Sequence, residues 1–319
     1  MANPTEATDG QVADAVKGNW VDTRAPPWTR PYLRLSRADR PIGTWLLLLP
    51  CWWGLLLASA HTGSFTLKDA WIALGCAIGA FLMRGAGCTW NDITDRDFDG
   101  AVARTRSRPI PSGQVTVKQA LAWLVIQSLV AFCILLTFNL AAIALGIASL
   151  ALVAIYPFAK RFTWWPQVFL GFAFNWGALL AWTAHTGSLA WPAVALWLAG
   201  ISWTLFYDTI YAHQDKEDDA LIGVKSTARL FGDRTHHWLR VFLVATVTLM
   251  TVALFGALKD QSPLALAVAF GGVWALGWHL AWQLTHLETD DSEVCLRLFR
   301  SNRNAGLIPV PFLAAAILL

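Results

Sequence analysis

The chain has 319 residues, 56% of them hydrophobic and only 14% charged, with 24 basic against 21 acidic side chains for a net charge of +3. Soluble domains carry roughly 25% charged residues, so this composition excludes an ordinary soluble protein and points to an integral membrane protein. The apolar stretches are continuous rather than alternating, which excludes a β-barrel.

The first forty residues contain Glu6, Asp9, Asp14 and Asp22 and no apolar core. Neither a secretory signal nor an Arg-rich, acid-poor transit peptide fits them. Residues 1–30 are therefore expected to be a polar, disordered cytoplasmic tail, and 31–319 a single transmembrane domain. From Pro31 to Arg40 basic and apolar residues mix, as in a helix lying at a membrane interface. Nine apolar stretches follow, near 42–60, 70–90, 120–138, 140–158, 164–184, 190–207, 238–258, 263–284 and a short one at 305–319. Most have about the 20 residues that cross hydrocarbon, so the expected fold is all-α with nine transmembrane helices.

Lys68 and Lys259 alone fall in the odd-numbered connections, and Arg84 falls inside the second stretch; the other basic residues lie in the N-terminal segment or the even-numbered connections. The positive-inside rule then puts the N-terminus on the cytoplasmic side. A bacterial inner membrane is the expected location, preferred to a mitochondrial one because no transit peptide is visible. The five cysteines occur singly, with no spacing suited to zinc or a redox dithiol, and are read as packing residues.

Two acidic clusters interrupt this apolar chain: Asn91-Asp92-Ile93-Thr94-Asp95-Arg96-Asp97-Phe98-Asp99 after the second stretch, and Asp208 through Asp215, Asp218 and Asp219 after the sixth. Carboxylates are costly beside a bilayer, which makes each cluster a candidate site. If the second helix runs on to residue 99, Asn91, Asp95 and Asp99 stack at i, i+4, i+8 with Asp92 beside them. Oxygen ligands converging in this way suit Mg²⁺, which takes a few carboxylates, keeps water and accepts phosphate oxygens. A solvated acidic helix end is the plainer alternative. Arg84 lies on the same stripe through Cys88 and Asn91, inside the membrane; it is either an anion ligand or a structural counterion. Arg104, Arg106 and Arg108 follow, suited to phosphate oxygens or serving only as positive-inside charges.

In the second cluster Asp208, Tyr211, Asp215 and Asp219 share one helical face. Two acidic faces on one side of the membrane make a two-cation site plausible, with a diphosphate bridging the ions. Lys225 and Ser226 after Gly223 either contact phosphate or face water. Tyr156 and Lys160, four apart at the end of the fourth stretch and followed by Arg161, are further candidates, although a Lys at a helix end commonly snorkels. Both long loops, roughly 30 residues each, follow an acidic cluster, and loops of that length without structure of their own are usually functional. Metals, diphosphate and a membrane interior together suggest loss of diphosphate from an allylic prenyl diphosphate, the metal stabilising the departing charge.

Met83-Arg84-Gly85-Ala86-Gly87-Cys88 leading to Asn91-Asp92-x-x-Asp95-Arg96-x-x-Asp99, then Arg104-Thr105-x-x-Arg108-Pro109-x-Pro111-Ser112-Gly113, resembles the UbiA-type intramembrane aromatic prenyltransferases. Tyr207-Asp208-Thr209-Ile210-Tyr211-Ala212 through Asp215, Asp218-Asp219 and Ile222-Gly223-Val224-Lys225-Ser226-Thr227 is similar to the branch acting on 4-hydroxybenzoate. Tyr156-x-x-x-Lys160-Arg161, Trp165-Pro166-Gln167 and Arg40-Pro41-x-Gly43 agree. The resemblance implies nine helices around a central cavity with a cytoplasm-facing active site. It implies Mg²⁺ held by Asn91, Asp92, Asp95, Asp99, Asp215 and Asp219, and Lys160 on the diphosphate. Arg161, Asp208 and Arg84 would place the aromatic acid, with Tyr156, Arg40, Arg104, Arg108, Tyr211 and Lys225 completing the site. The implied reaction is C-prenylation of 4-hydroxybenzoate ortho to its hydroxyl by a polyprenyl diphosphate, in ubiquinone biosynthesis. Membrane lipid is the surrounding partner, and no nucleic acid is expected.

Two rivals are weighed on residues. A CDP-alcohol phosphotransferase would need an Asp where Arg96 stands and two more after Gly113, where Val117 and Lys118 stand. A divalent-cation transporter would need polar groups along a route through the bilayer, and the outer halves of these stretches offer almost none.

Overall fold

The computed structural model describes residues 15, 16, 18–101, 105–221 and 223–319, and for Phe98, Ala101, Asp215, Asp218 and Asp219 the backbone alone. In chain order the helices are α1 (Trp20–Thr23), α2 (Arg30–Leu35), α3 (Ile42–Thr62), α4 (Leu67–Thr94), α5 (Arg96–Ala101), α6 (Val117–Leu135), α7 (Leu140–Phe162), α8 (Pro166–Thr186), α9 (Trp191–Ala212), α10 (Lys216–Leu221), α11 (Thr227–Phe231), α12 (Thr235–Leu258), α13 (Pro263–Thr285), α14 (Ser292–Leu307) and α15 (Pro309–Ala316). No strand occurs among the described residues. The helix ends follow local chemistry. Asn139 caps α7 by accepting the Ala142 N–H at 2.9 Å, Ser262 caps α13 likewise, and Pro occupies the first turn of α8, α9, α13 and α15. Gly187, at φ +85°, closes α8 in the left-handed conformation that a Cβ would strain.

Seven helices among the described residues have the length and apolarity to cross a membrane, not the nine expected. The stretch at 164–184 is helical and 21 residues long in α8, but Gln167, Asn175, Thr183 and His185 dilute its apolar character. The stretch at 305–319 fails on length: α15 has only eight residues, set off by Pro309. Part of the expected N-terminal tail is folded. Trp20 Nε1 donates to the Ala38 carbonyl at 3.1 Å, Arg34 pairs with Asp22 at 2.9 Å, and Val21 is fully buried.

The chain groups into two compact units: Met1–Thr44 with Ile78–Ile134, and Trp45–Ala77 with Leu135–Leu319. In the first, Leu35, Ile93, Ile110, Val115 and Ala120 form the core, with Tyr32 against it, so α2, the end of α4, the following loop and α6 share one apolar centre. Ser36 Oγ donates to Gln127 Oε1 at 3.0 Å and accepts from Trp123 Nε1 at 2.9 Å, tying α6 to the turn after α2.

In the second unit α9 is the central helix, packed by α8, α12 and α14. Helix α3 approaches α8 closely at Gly54, where a Cβ would run into the Ala178 carbonyl group; small residues at such crossings let helices meet without lipid between them. Several polar groups buried in this unit are paired. Trp203 Nε1 donates to Asn302 Oδ1 at 3.0 Å, Asn302 Nδ2 donates to Gln283 Oε1 at 3.0 Å, and Trp53 Nε1 donates to the Gly306 carbonyl at 2.8 Å. In the first turn of α4, Asp69 accepts the N–H of Thr66, the residue before the helix, at 2.7 Å, while His185 Nδ1 meets its other oxygen at 2.5 Å.

Candidate active site

The first acidic motif lies at the junction of α4 and α5. The continuous helix expected to residue 99 is interrupted at Asp95, but its register survives: the Asp95 N–H donates to the Asn91 carbonyl at 2.9 Å and the Asp99 N–H to the Asp95 carbonyl at 2.8 Å. Asn91, Asp95 and Asp99 therefore keep the one-face spacing read from the sequence. Asp92 and Asp95 are almost completely buried and Asp99 is 8% exposed, while Asp97 is exposed.

Two arginines meet these acids. Arg108 Nη1 donates to Asp99 Oδ2 at 2.7 Å and lies 3.4 Å from Asp92 Oδ1; Arg37 Nη2 donates to the same Asp92 oxygen at 2.5 Å. Arg37 also donates to the Arg34 carbonyl at 3.2 Å and has a left-handed backbone, φ +56°, the one non-glycine of positive φ among the described residues. Such a conformation is uncommon for a side chain of this size and persists where surrounding contacts fix it. Burial works against the Arg37 charge, but Asp92, together with Cys88 and Asp39, outweighs it and holds the guanidinium pKa above its usual value. Burial raises the Asp99 carboxyl above the ordinary range, with Arg108 pulling the other way.

Gly43 leaves room for Arg84: a Cβ there would stand 2.5 Å from Arg84 Nε. Arg40 is buried, with Nε 3.4 Å from Asp39 Oδ1, and burial pushes the Asp39 carboxyl up to about 6. Arg104 lies outside the described residues.

In the second unit Asp208 and Tyr211 sit near the end of α9, Asp208 half-buried. Tyr211 packs on Phe299 with ring centroids 4.5 Å apart, and Trp203 and Tyr207 continue that aromatic column up the helix at 5.1 Å. A polar run lies alongside: Asn175 Nδ2 donates to Thr204 Oγ1 at 2.8 Å, and Thr204 Oγ1 and the Tyr207 hydroxyl are 3.0 Å apart. Tyr156, Lys160 and Arg161 end α7, with the Arg161 guanidinium 5.0 Å over the Phe158 ring. The Lys225 N–H donates to the Lys160 carbonyl at 3.2 Å, which brings the backbones of these two lysines together. Asp215 ends a 3₁₀ turn and Asp219 lies in α10; their side chains are outside the description.

Among the described residues no three His, Cys, Asp or Glu side chains form a metal site unaided. The residues missed by sequence reasoning are Arg37, Asn175 and Thr204. Asn175 gave a signal, being an amide in the middle of an apolar helix. Arg37 gave none, because its partner is 55 positions away.

The model of the UbiA prenyltransferase family matches residues 47–303. The 4-hydroxybenzoate polyprenyltransferase, mitochondrial, of Rattus norvegicus is 48% identical over 96% of this chain and 79% of its own length. The enzyme of the same name from Arabidopsis thaliana is 46% identical over 95% and 72%, and that of Homo sapiens 48% over 89% and 74%. Among solved structures, a UbiA homolog from Aeropyrum pernix has a TM-score of 0.63 at 24% identity, covering 86% of this chain and 96% of that one. A UbiA homolog from Archaeoglobus fulgidus bound to GPP and Mg²⁺ has a TM-score of 0.68 at 17% identity, covering 91% and 100%. These two share the fold. The curated relatives are named mitochondrial, which overturns the expectation of a bacterial inner membrane.

Proposed function

Because the chain belongs to the UbiA prenyltransferase family, we propose that it transfers a polyprenyl group from a polyprenyl diphosphate to 4-hydroxybenzoate, in ubiquinone biosynthesis and in a mitochondrial membrane. The supporting observation is identity of nearly one half, across almost the whole chain, to relatives named for that activity. A bond forms between C1 of the prenyl chain and the ring carbon ortho to the hydroxyl. The C1–O bond breaks, its electron pair leaves with diphosphate, and the ring carbon loses its proton.

The first motif fits a hard cation. Its side-chain donors are oxygens apart from the Asn91 amide nitrogen, three of its carboxylates are buried, and Asp92 Oδ2 is a buried oxygen with no hydrogen-bond partner among the described residues. Mg²⁺ commonly takes only one or two carboxylates and fills its remaining positions with water and substrate phosphate. Asn91, Asp92, Asp95 and Asp99 are the residues that would supply its ligands at the first motif, and Asp215 and Asp219 those that would hold a second ion. Bound there, Mg²⁺ would supply positive charge to the departing diphosphate.

The remaining work falls to protein groups. Lys160, Lys225, Arg104 and Arg108 bind phosphate oxygens, Arg108 offering the planar fork that matches them. Arg161, with Arg84 and Arg40, holds the aromatic carboxylate. Asp208 accepts the phenol hydrogen bond and so raises electron density at the ortho carbon, with Tyr156 and Tyr211 beside it as polar-tipped walls. The apolar prenyl tail remains in lipid.

The test is diphosphate release by the detergent-solubilised protein given polyprenyl diphosphate, 4-hydroxybenzoate and Mg²⁺, with parallel reactions lacking each one. Release that requires all three, with a prenylated acid by mass spectrometry, is the expected result. Release independent of the aromatic acid, or none with prenyl chains of any length, would refute the assignment.

A further inference from the structure

The segment Gly223–Thr227, which follows the second acidic motif, is held from two sides, on one of them by buried groups. From one side, its Lys225 N–H bonds the Lys160 carbonyl and Lys225 Nζ lies 3.5 Å from the Phe162 carbonyl, both at the end of α7. From the other, the Thr227 N–H donates to Gln167 Oε1 at 3.2 Å, and the Thr227 and Thr209 hydroxyls are 2.7 Å apart. Thr209 and Thr227 are fully buried and Gln167 is 4% exposed. Within the segment Ser226 caps α11, and Arg229 closes back onto the Val224 carbonyl.

These bonds do more than satisfy polar groups. Thr209 is the residue after Asp208, and the Lys160 carbonyl belongs to the last turn of α7. The Thr227 anchor therefore fixes the downstream end of the acidic loop, and with it the starting points of the Lys160 and Lys225 side chains. Neither Gln167 nor Thr209 presents a charge to a substrate. Removing the Gln167 carbonyl leaves the Thr227 N–H buried and unsatisfied, which the segment relieves by moving away from α8. Helices α8 and α9 still pack along their lengths, so the membrane-spanning framework is retained.

We infer that Gln167 and Thr209 are positioning residues for diphosphate and metal handling: they latch Gly223–Thr227 against the ends of α7 and α8, and the latch holds the second acidic motif in register. The inference rests on the reaction proposed above. Gln167→Leu and Thr209→Val are expected to raise KM for polyprenyl diphosphate and the half-saturating Mg²⁺ concentration about tenfold, the order of one lost buried hydrogen bond. KM for 4-hydroxybenzoate and kcat at saturation stay within about twofold. Gln167→Glu and Thr209→Ser keep the acceptor and the hydroxyl, and restore both parameters.

Two readouts need no turnover. Hydrogen exchange at the Lys225 and Thr227 amides accelerates in Gln167→Leu and Thr209→Val, and Mn²⁺-dependent affinity for an unreactive prenyl thiolodiphosphate falls by the same factor. Unchanged affinity and exchange, or loss of folded protein that the conservative variants do not restore, would overturn the latch. Failure of the wild-type protein to prenylate 4-hydroxybenzoate would refute the reaction instead, leaving the affinity comparison to decide the latch.

Discussion

Replacing Arg37 with Ala isolates the contact on which the first acidic motif rests. Asp92 has no exposed surface, and its Oδ1 is 2.5 Å from Arg37 Nη2. Removing one partner of a buried ion pair typically costs about 3–5 kcal/mol, because the other charge is left without compensation. Arg108 recovers little of this: its Nη1 lies 3.4 Å from Asp92 but is bonded at 2.7 Å to Asp99, and closer approach to one acid draws it from the other. Backbone strain cancels between Arg and Ala at φ +56°, since both carry a Cβ. The expected loss is therefore about 3 kcal/mol, or roughly a hundredfold in the folded-to-unfolded ratio. SDS-titrated unfolding in mixed micelles would measure it for Arg37→Ala, Asp92→Asn and the double variant. Because Asp92→Asn removes the stranded charge, the double variant should be less destabilised than the sum of the single ones, with a coupling energy of about 2 kcal/mol. A coupling below about 0.5 kcal/mol would show that Arg37 does not hold Asp92 and refute the reasoning.

Asp95→Ala and Asp215→Ala should each abolish prenyl transfer while leaving the protein inserted in the membrane; normal turnover in either removes that residue from the metal set. Arg161→Ala should raise KM for 4-hydroxybenzoate about tenfold, a loss of roughly 1.4 kcal/mol of charge-assisted binding, and unchanged kinetics would remove it from the site. Gly54→Leu drives a side chain into the Ala178 backbone and should cost at least about 1–3 kcal/mol, the range for overpacking, read as a lower unfolding midpoint. His213 is buried with its pKa lowered to about 4, burial being the main cause and Lys216 adding to it. A lowered base binds fewer protons folded than unfolded, so its contribution is full above about 6.5 and is lost as pH falls toward 4. Midpoints measured across that window should fall more steeply for wild type than for His213→Asn.

The sequence and the structure agree where a property is local. The spacing of Asn91, Asp95 and Asp99 survives the break at Asp95, because main-chain bonds across the break keep the helical register. The all-helical class follows from continuous apolar runs of about 20 residues alone. Tertiary contacts were not legible: Arg37 reads as one more interfacial arginine until its partner is known. The count of nine spans failed on composition and length instead: Gln167, Asn175, Thr183 and His185 dilute the apolar character of α8, and α15 has only eight residues. The compartment was inferred from the composition of the first forty residues, a weak guide beside the relatives' names.

The pairing of α14 with α9 and α13 bears on the order in which the chain is assembled. Helix α14 carries Arg297, Arg300, Arg303 and Asn302 and is not among the helices apolar enough to enter a bilayer unaided. Until it docks, the indole of Trp203, the amide of Gln283 and, through Gly306, the indole of Trp53 lack the partners they have in the finished protein. An unfinished chain thus holds unmet hydrogen-bonding groups in hydrocarbon, each a substantial cost. Residues 292–319 thus complete the hydrogen bonding of α3, α9 and α13. A chain stopped at Asp291 should still insert but be cleared rapidly by membrane proteases, and pulse-chase labelling would show it as a shortened half-life.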